Sequence, residues 1–258
     1  MEAPSISTLI HRVLSLIQKH KLQALLMGGQ ACILYGAAEF SKDFDFILLL
    51  DQENLESFKR FAAEIRASVI AVPPFEYEYL AKGHAVHFRA AATGLEQLRI
   101  DVMCKLRGVE PFPVLWNRRT SAELLPGLTA EILSLHDLVL AKKTQRDKDW
   151  PMIRRLVDVD YLRNRESATE NQVRFWMREL RSPIFLIECA SHWPEIAQEV
   201  ARTRSDVVHG ALSASRSAIE QALEVEQKKI REEDRFYWKP LIDELNLLRR
   251  KKVGNGNR

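Results

Sequence analysis

The sequence predicts an α+β protein, in which a mixed β-sheet flanked by helices is followed by a C-terminal all-helical domain. Short apolar runs alternate with helical periodicity over residues 1–163, whereas the periodic segments of residues 164–258 all have helical spacing. Residues 163–172 are polar and aperiodic, so we place the domain boundary there.

The first elements alternate between helix and strand. Apolar residues at i, i+3 and i+4 predict a helix over residues 6–20, and residues 22–27 form a short apolar run stopped by glycines, as in a buried strand. A second helix is predicted over residues 30–35. Residues 41–50 begin with polar–apolar alternation and end in an apolar run, which indicates a strand with one exposed end. The period of residues 55–67 indicates a third helix.

The next segment is predicted to form strands only. Residues 68–72 are apolar and partly β-branched, and two prolines stop them. The turn residues Lys82-Gly83 and Thr93-Gly94 then divide an antiparallel meander. Its three strands are predicted at residues 75–80, 85–90 and 98–103.

Helices are predicted for the remainder of the chain. A loop with Pro111, Pro113 and Pro126 precedes the capping-box sequence Ser134 to Asp137, which opens a helix to about residue 144. The later helices are predicted at residues 150–162, 173–180, after Pro194, 213–233 and 238–248. The basic residues 249–252 are predicted to belong to a flexible, solvated tail.

The composition indicates a cytoplasmic globular protein. Hydrophobic residues make up 46% of the 258 residues, which is enough to form a core without a disulfide or a structural metal. Cys32, Cys104 and Cys189 are far apart and lack CxxC spacing, as expected in a reducing compartment. We expect neither a signal peptide nor a membrane span. The net charge of +3 permits phosphorylated ligands without indicating nucleic acid.

Two aspartates at the start of a strand are the first candidate site. Asp43 and Asp45 are two residues apart, so they project to the same face, while Phe44 and Phe46 project into the core. Adjacent carboxylates repel each other, and a divalent cation such as Mg²⁺ relieves that repulsion. The alternative is that both aspartates simply face water at a strand end.

Gly28-Gly29, between a predicted strand and a predicted helix, is the second candidate site. Glycines allow backbone N–H groups to approach a phosphate, although a Gly-Gly pair is more often only a turn. Together with Asp43 and Asp45, the pair predicts a phosphate binder and a metal binder on neighbouring elements.

These two motifs resemble the signature of the nucleotidyltransferase superfamily, whose members are DNA polymerase β-like. The resemblance rests on Gly28-Gly29-Gln30-Ala31 followed by Ser41-Lys42-Asp43-Phe44-Asp45-Phe46. The family also has a third carboxylate on a neighbouring strand, which Asp101 in Arg99-Ile100-Asp101-Val102-Met103 matches. The resemblance implies that Asp43, Asp45 and Asp101 are catalytic and bind Mg²⁺ or Mn²⁺, and that Gly28, Gly29 and Ser41 contact an NTP.

A further stretch is similar to bacterial AbiEii-like and minimal nucleotidyltransferases. It comprises Asp137 to Lys142 and the charged run Arg146 to Asp149. The resemblance implies that Lys142 reaches the triphosphate and that the charged run closes the site. An exposed, charged helix end would explain that run equally well.

The resemblance implies transfer of an NMP from an NTP to a hydroxyl acceptor. The acceptor stays open among tRNA, a protein side chain and a small hydroxylated compound. The chain would then fit the toxin half of a toxin–antitoxin pair, with an antitoxin protein as partner. One position departs from the family: Glu39 stands where relatives often carry arginine. This departure favours the alternative of a catalytically inactive nucleotidyltransferase-fold binding or interaction module.

Two histidines were also considered as metal ligands. His84 and His87 are three residues apart in strand-like sequence, so they are expected to face opposite sides. We therefore predict no histidine metal site there.

Overall fold

The computed structural model describes residues 6–255, with the side chains of residues 9–251. Within these limits there are two compact units. The sheet unit contains residues 6–33, 39–138 and 238–255, and the helical unit contains residues 34–38 and 139–237. This division differs from the domain boundary predicted near residue 164, which stays a prediction.

A seven-stranded mixed sheet is the main feature of the sheet unit. Its strands are β1 (Ala24–Met27), β2 (Asp43–Leu48), β3 (Ser68–Val69), β4 (Val86–Arg89), β5 (Arg99–Met103), β6 (Thr120–Leu125) and β7 (Leu128–Ile132). Their order across the sheet is β3-β4-β5-β2-β1-β7-β6. The β2–β5 and β1–β7 pairs are parallel, and the other four pairs are antiparallel.

The other elements of the described chain are helical. They are α1 (Ile6–Lys19), α2 (Gly28–Leu34), α3 (Gln52–Glu64), α4 (Tyr77–Lys82), α5 (Phe112–Asn117), α6 (Leu135–Ala141), α7 (Asp149–Asn164), α8 (Glu170–Glu179), α9 (Pro183–His192), α10 (Pro194–Ala201), α11 (Ser205–Leu212) and α12 (Arg216–Asn255). The predicted α+β class, with a mixed sheet, flanking helices and a C-terminal helical region, is confirmed. No helix within residues 6–255 is both long and apolar enough to cross a bilayer.

The core of the sheet unit follows from the alternation along β2. Phe44 and Phe46 are almost fully buried, whereas Asp43 and Asp45 lie half-buried on the opposite face. The buried side chain of Asn54 in α3 connects the two central strands at their other end. Its amide nitrogen donates to the carbonyl oxygens of Gln23 and Leu49, 3.0 and 2.9 Å away. This side chain therefore fixes β2 beside β1 at that end of the pair.

The strand predicted at residues 75–80 is wrong, because this segment contributes to helix α4. Gly83 ends the helix in the left-handed conformation, with φ of +103°. The Lys82-Gly83 pair, which the sequence suggested as a turn between strands, is thus a helix C-terminus. The strands predicted at residues 85–90 and 98–103 correspond to β4 and β5.

The proline-containing loop before Ser134 holds more structure than predicted. It contains helix α5 and the hairpin β6–β7, whose strands are joined through Pro126 and Gly127. Gly127 has φ of +79°, and a proline followed by a glycine of positive φ is typical of a type II turn. The Pro126-Gly127 pair is therefore the feature of the sequence that could have predicted this hairpin.

The C-terminal helices differ from the prediction in one respect. Residues 213–233 and 238–248 were predicted as separate helices, but helix α12 runs from Arg216 to Asn255 with Pro240 inside it. The basic residues 249–252 lie in this helix as well, and not in the flexible tail that was predicted. Residues 256–258 lie outside the described chain.

Candidate functional site

Three aspartates lie on one face of the central strands β2 and β5. In this parallel pair, Asp45 is opposite Asp101 and Asp43 is opposite Arg99. Residues two apart on a strand, and residues paired across two strands, point to the same face of a sheet. The sheet therefore brings together the three carboxylates that the sequence indicated, all of them half-buried.

Gly28 lies directly against the carboxylate of Asp45. It follows Met27, which pairs with Asp45 across the β1–β2 ladder. Its φ of +66° is in the left-handed region that favours glycine, and a Cβ atom there would overlap the Asp45 carboxylate. The chain therefore requires glycine at this position for two independent reasons.

Gly29 and Ser41 form a second close contact. A Cβ atom on Gly29 would collide with the hydroxyl of Ser41. That hydroxyl donates to the carbonyl oxygen of Asp43 at 3.2 Å, and the buried Gln30 side chain donates to the Ser41 carbonyl oxygen at 3.1 Å. Gln30 thus holds the segment before β2 against α2. The sequence analysis did not assign this role, although a polar residue in an otherwise apolar helix was a usable signal.

Asp101 has charged partners on the same face. Arg99 donates from Nε to Oδ1 and from Nη2 to Oδ2 of Asp101, both at 2.9 Å. His87 pairs with Asp101 across the β4–β5 ladder, and its Nδ1 lies 2.8 Å from Oδ1. Both carboxylate oxygens of Asp101 are therefore occupied by cationic or hydrogen-bonding side chains.

The imidazole of His87 can serve only one of two partners. Its Nδ1 lies close to Asp101 Oδ1 and also 3.2 Å from Nη2 of Arg99. A ring nitrogen that carries a proton donates to Asp101, and one without a proton accepts from Arg99. The buried His84 has a different neighbour, because its Nε2 lies 2.8 Å from Oε2 of Glu244.

The charges on this face shift the pKa values of its members. Burial would raise the pKa of Asp101, but hydrogen bonds from His87 and Arg99 outweigh it and hold this pKa below its ordinary value. The hydrogen bond to Asp101 raises the pKa of Arg99, and the charges of Asp43 and Asp45 add to that effect. Asp101 is therefore ionised and paired, and Arg99 lies within the field of all three carboxylates.

A divalent cation fits this face in part. Among the described side chains there is no group of three His, Cys, Asp or Glu residues arranged to hold a metal ion. Mg²⁺, however, is commonly bound by one or two carboxylates together with water and substrate phosphates. Asp43 and Asp45 supply that smaller set of donors. Asp101 is held by Arg99 and His87, so it is not available as a third ligand in this arrangement.

Lys142 and the following charged run lie in the helical unit. The ammonium of Lys142 is 3.8 Å from Oδ1 of the buried Asp149. The other oxygen of Asp149 accepts from Thr144 at 2.6 Å and from Arg146 at 2.7 Å. Asp149 therefore organises this run internally. The assignment of Lys142 to a triphosphate stays a prediction.

The segment before β2 carries exposed side chains. Glu39, the departure from the family pattern, is exposed, and so is Phe40, at 55%. The ammonium of Lys42 lies 6.0 Å from the centre of the Phe40 ring. An acidic, an aromatic and a basic side chain thus accompany the strand that carries Asp43.

Comparison with known proteins gives a distant structural likeness. No family model and no curated protein sequence matches this chain. The solved structure of JHP933 from Helicobacter pylori is 12% identical, with a TM-score of 0.40 over 96% of this chain and 100% of that one. A second H. pylori protein, provisionally named a nucleotidyltransferase, is 14% identical, with a TM-score of 0.40 over 88% and 97%. Likeness at this level assigns neither a family nor an activity, and the AbiEii-like subgroup stays a prediction.

Proposed function

We propose that this chain is a nucleotidyltransferase that moves an NMP from an NTP to a hydroxyl acceptor with the help of a divalent cation. One observation carries the proposal: Asp43 and Asp45 lie beside Asp101 on paired strands, and the Gly28 backbone lies against Asp45. Clustered, half-buried carboxylates repel one another, and binding a cation relieves that repulsion.

Each residue of the site has a proposed role. Asp43 and Asp45 would hold Mg²⁺ or Mn²⁺, which supplies positive charge to the phosphates of the NTP. The backbone N–H groups of Gly28 and Gly29, next to the Ser41 hydroxyl, are proposed to donate to phosphate oxygens. Lys142 is proposed as a further phosphate ligand on the family resemblance alone.

The proposed reaction exchanges the phosphoanhydride bond between the α- and β-phosphates of the NTP for a phosphoester bond to the acceptor. The acceptor oxygen bonds to the α-phosphorus, the bond from that phosphorus to the bridging β-phosphate oxygen breaks, and pyrophosphate leaves. The acceptor hydroxyl loses its proton, and Asp101 is the carboxylate proposed either to complete the cation site or to receive that proton. The acceptor class remains open among tRNA, protein and small hydroxylated compounds, and an antitoxin stays a predicted partner.

The direct test is transfer of label from each α-labelled NTP in the presence of Mg²⁺ or Mn²⁺, with candidate acceptors from the three classes. We expect label in one acceptor, and a loss of at least about 100-fold in Asp43→Asn or Asp45→Asn. The matched control is Asp206→Asn, which makes the same change at an exposed position of the helical unit. Absence of transfer, together with NTP binding that is equal in the wild type and Asp43→Asn, would rule the proposal out.

A second candidate function is a binding or interaction module without catalysis. The observation that favours it is the occupation of both Asp101 oxygens by Arg99 and His87. Thermal unfolding with and without Mn²⁺ separates the two candidates. An enzyme is expected to gain stability from Mn²⁺ plus NTP through Asp43 and Asp45, whereas the inactive module is expected to show no gain that these residues control.

A further inference from the structure

The carboxylate face carries arginine side chains as well. Asp43, Asp45 and Asp101 lie on this face together with Arg99, which is bonded to Asp101. Arg89 is paired with Arg99 across the β4–β5 ladder and is exposed. Arg99 therefore neutralises Asp101, and Arg89 places the same charge on the same face.

The guanidinium of Arg99 occupies the Asp101 carboxylate, which a metal ion would need as a ligand. Its two hydrogen bonds occupy both oxygens of Asp101, in the bidentate geometry that makes arginine–carboxylate pairs strong. The Arg99 side chain is 40% exposed, and that of Asp101 is 15% exposed. The guanidinium is thus held by Asp101, has His87 Nδ1 3.2 Å from its Nη2, and is partly open to solvent.

We propose that Arg99 is the built-in counter-cation of Asp101 and that it competes with a divalent cation for this carboxylate. The inference rests on the proposed function, since it assumes that the carboxylates bind a divalent cation. In the nucleotide-free protein Arg99 excludes Asp101 from the cation site and repels the cation, so binding is weak. Asp101 becomes a ligand of the divalent cation when its hydrogen bonds with the Arg99 guanidinium break.

A nucleoside triphosphate provides the guanidinium with another partner. Phosphate oxygens accept paired hydrogen bonds from arginine much as a carboxylate does. Cation and nucleotide are therefore expected to bind with positive coupling, each raising the affinity for the other. Arg99 is a positioning residue in this scheme, and it determines when Asp101 becomes available.

The test is a titration of Mn²⁺ without nucleotide, followed by electron paramagnetic resonance of the free ion. Arg99→Gln is expected to bind Mn²⁺ about tenfold more tightly than the wild type, because a nearby positive charge is removed and Asp101 is released. Arg89→Gln, which removes the same charge from the same face without a bond to Asp101, is expected to change the affinity by less than about threefold. The double variant Arg99→Gln/Asp101→Asn is expected to lack this increase in Mn²⁺ affinity.

Two further measurements keep the test decisive. Arg99→Lys keeps the charge and loses the bidentate geometry, so its affinity is expected to lie between those of the wild type and Arg99→Gln, and it serves if Arg99→Gln fails to fold. Repeating the titration with a non-hydrolysable NTP analogue is expected to raise the Mn²⁺ affinity of the wild type more than that of Arg99→Gln.

The outcomes distinguish this inference from the proposed function. Equal gains in Arg99→Gln and Arg89→Gln, or no Mn²⁺ binding by Arg99→Gln and Arg99→Lys, would overturn the role of Arg99. The proposed activity could still stand on the transfer assay. Conversely, a selective gain through Asp101 with no NMP transfer to any acceptor would support the role of Arg99 and remove the enzymatic proposal.

Discussion

Arginine–carboxylate pairs occur in both units, and they differ in how far their arginine side chains are buried. In the helical unit, Glu226 accepts from Arg181 at 2.7 Å and from Arg204 at 2.7 and 3.0 Å. Both arginine side chains are less than 10% exposed. They also donate to backbone carbonyl oxygens: Arg181 to that of Leu223, and Arg204 to those of Met177 and Leu180. Each arginine is therefore held by the Glu226 carboxylate and by the backbone.

On the carboxylate face of the sheet unit the arginine is more exposed. Arg99 is bonded to Asp101, and its side chain is 40% exposed. Removing one partner of a buried arginine–carboxylate group is strongly destabilising, whereas a partly exposed arginine can exchange its carboxylate for a phosphate. The two groups therefore show how burial changes what an arginine–carboxylate pair contributes.

The largest effect on stability is expected at Glu226 and its two buried arginines. Glu226→Gln leaves two buried guanidinium groups without a counter-charge, so we expect the free energy of unfolding to fall by about 3–5 kcal/mol. Urea denaturation measures this change. The matched control is Glu220→Gln, whose exposed pair with Arg216 on the same helix is expected to contribute less than about 0.5 kcal/mol. Equal losses of unfolding free energy in the two variants would contradict the distinction between buried and exposed pairs.

A somewhat smaller effect is expected where the backbone approaches Asp45. Gly28→Ala combines a left-handed backbone with a collision against the carboxylate, and we expect a loss of about 2–4 kcal/mol. Gly108→Ala is the control, because Gly108 has nearly the same φ, +69°, with nothing within 4 Å of a Cβ atom. It should lose about 1 kcal/mol from backbone strain alone. Similar thermal unfolding of the two variants would show that the Asp45 side chain can move away at little cost in stability.

The smallest effect concerns a pair of the sheet unit in which only the carboxylate is fully buried. Asp137 is fully buried and accepts two hydrogen bonds from Arg118, at 2.7 and 2.5 Å. Burial opposes ionisation, but hydrogen bonds from His136, Arg118 and Ser134 outweigh it and lower the pKa of Asp137 to about 2. Because the folded pKa is depressed, the stabilisation is complete above the unfolded pKa near 4 and is lost as the pH falls towards 2.

Thermal unfolding between pH 6 and pH 2 tests this pair. The stability difference between the wild type and Asp137→Asn is expected to shrink by up to about 2 kcal/mol over the acidic window from pH 4 to pH 2. A difference that is independent of pH would show that ionisation of this carboxylate contributes nothing to the stability of the fold.

The sequence predicted how the candidate residues of the sheet unit are placed where local pattern determines geometry. Alternation of Asp and Phe on β2 fixes which side chains share a face, and glycines at the end of β1 mark a close approach. These are properties of a few neighbouring residues. The three aspartates and both glycines could therefore be placed on adjacent elements without knowledge of the tertiary structure.

The partners of Asp101 could not be predicted in the same way. The contact of His87 with Asp101 depends on the register between β4 and β5, which the sequence does not state. Arg99 was visible two residues before Asp101, but whether it bonds to that carboxylate or extends into solvent depends on the surrounding charges. Helix α4 was missed for a related reason, because Gly83 is compatible with either a turn or a helix end.

The parallel pairing of β2 with β5 also has a consequence for how this site could vary among relatives. The ladder places Asp45 opposite Asp101 whatever the length of the chain that joins the two strands. Insertions and deletions between Leu48 and Arg99 are therefore expected to leave the carboxylate face intact as long as the strand register is kept. Relatives of this chain should share two short, rigid patterns, Asp-x-Asp and Arg-x-Asp, separated by a spacer of widely different length.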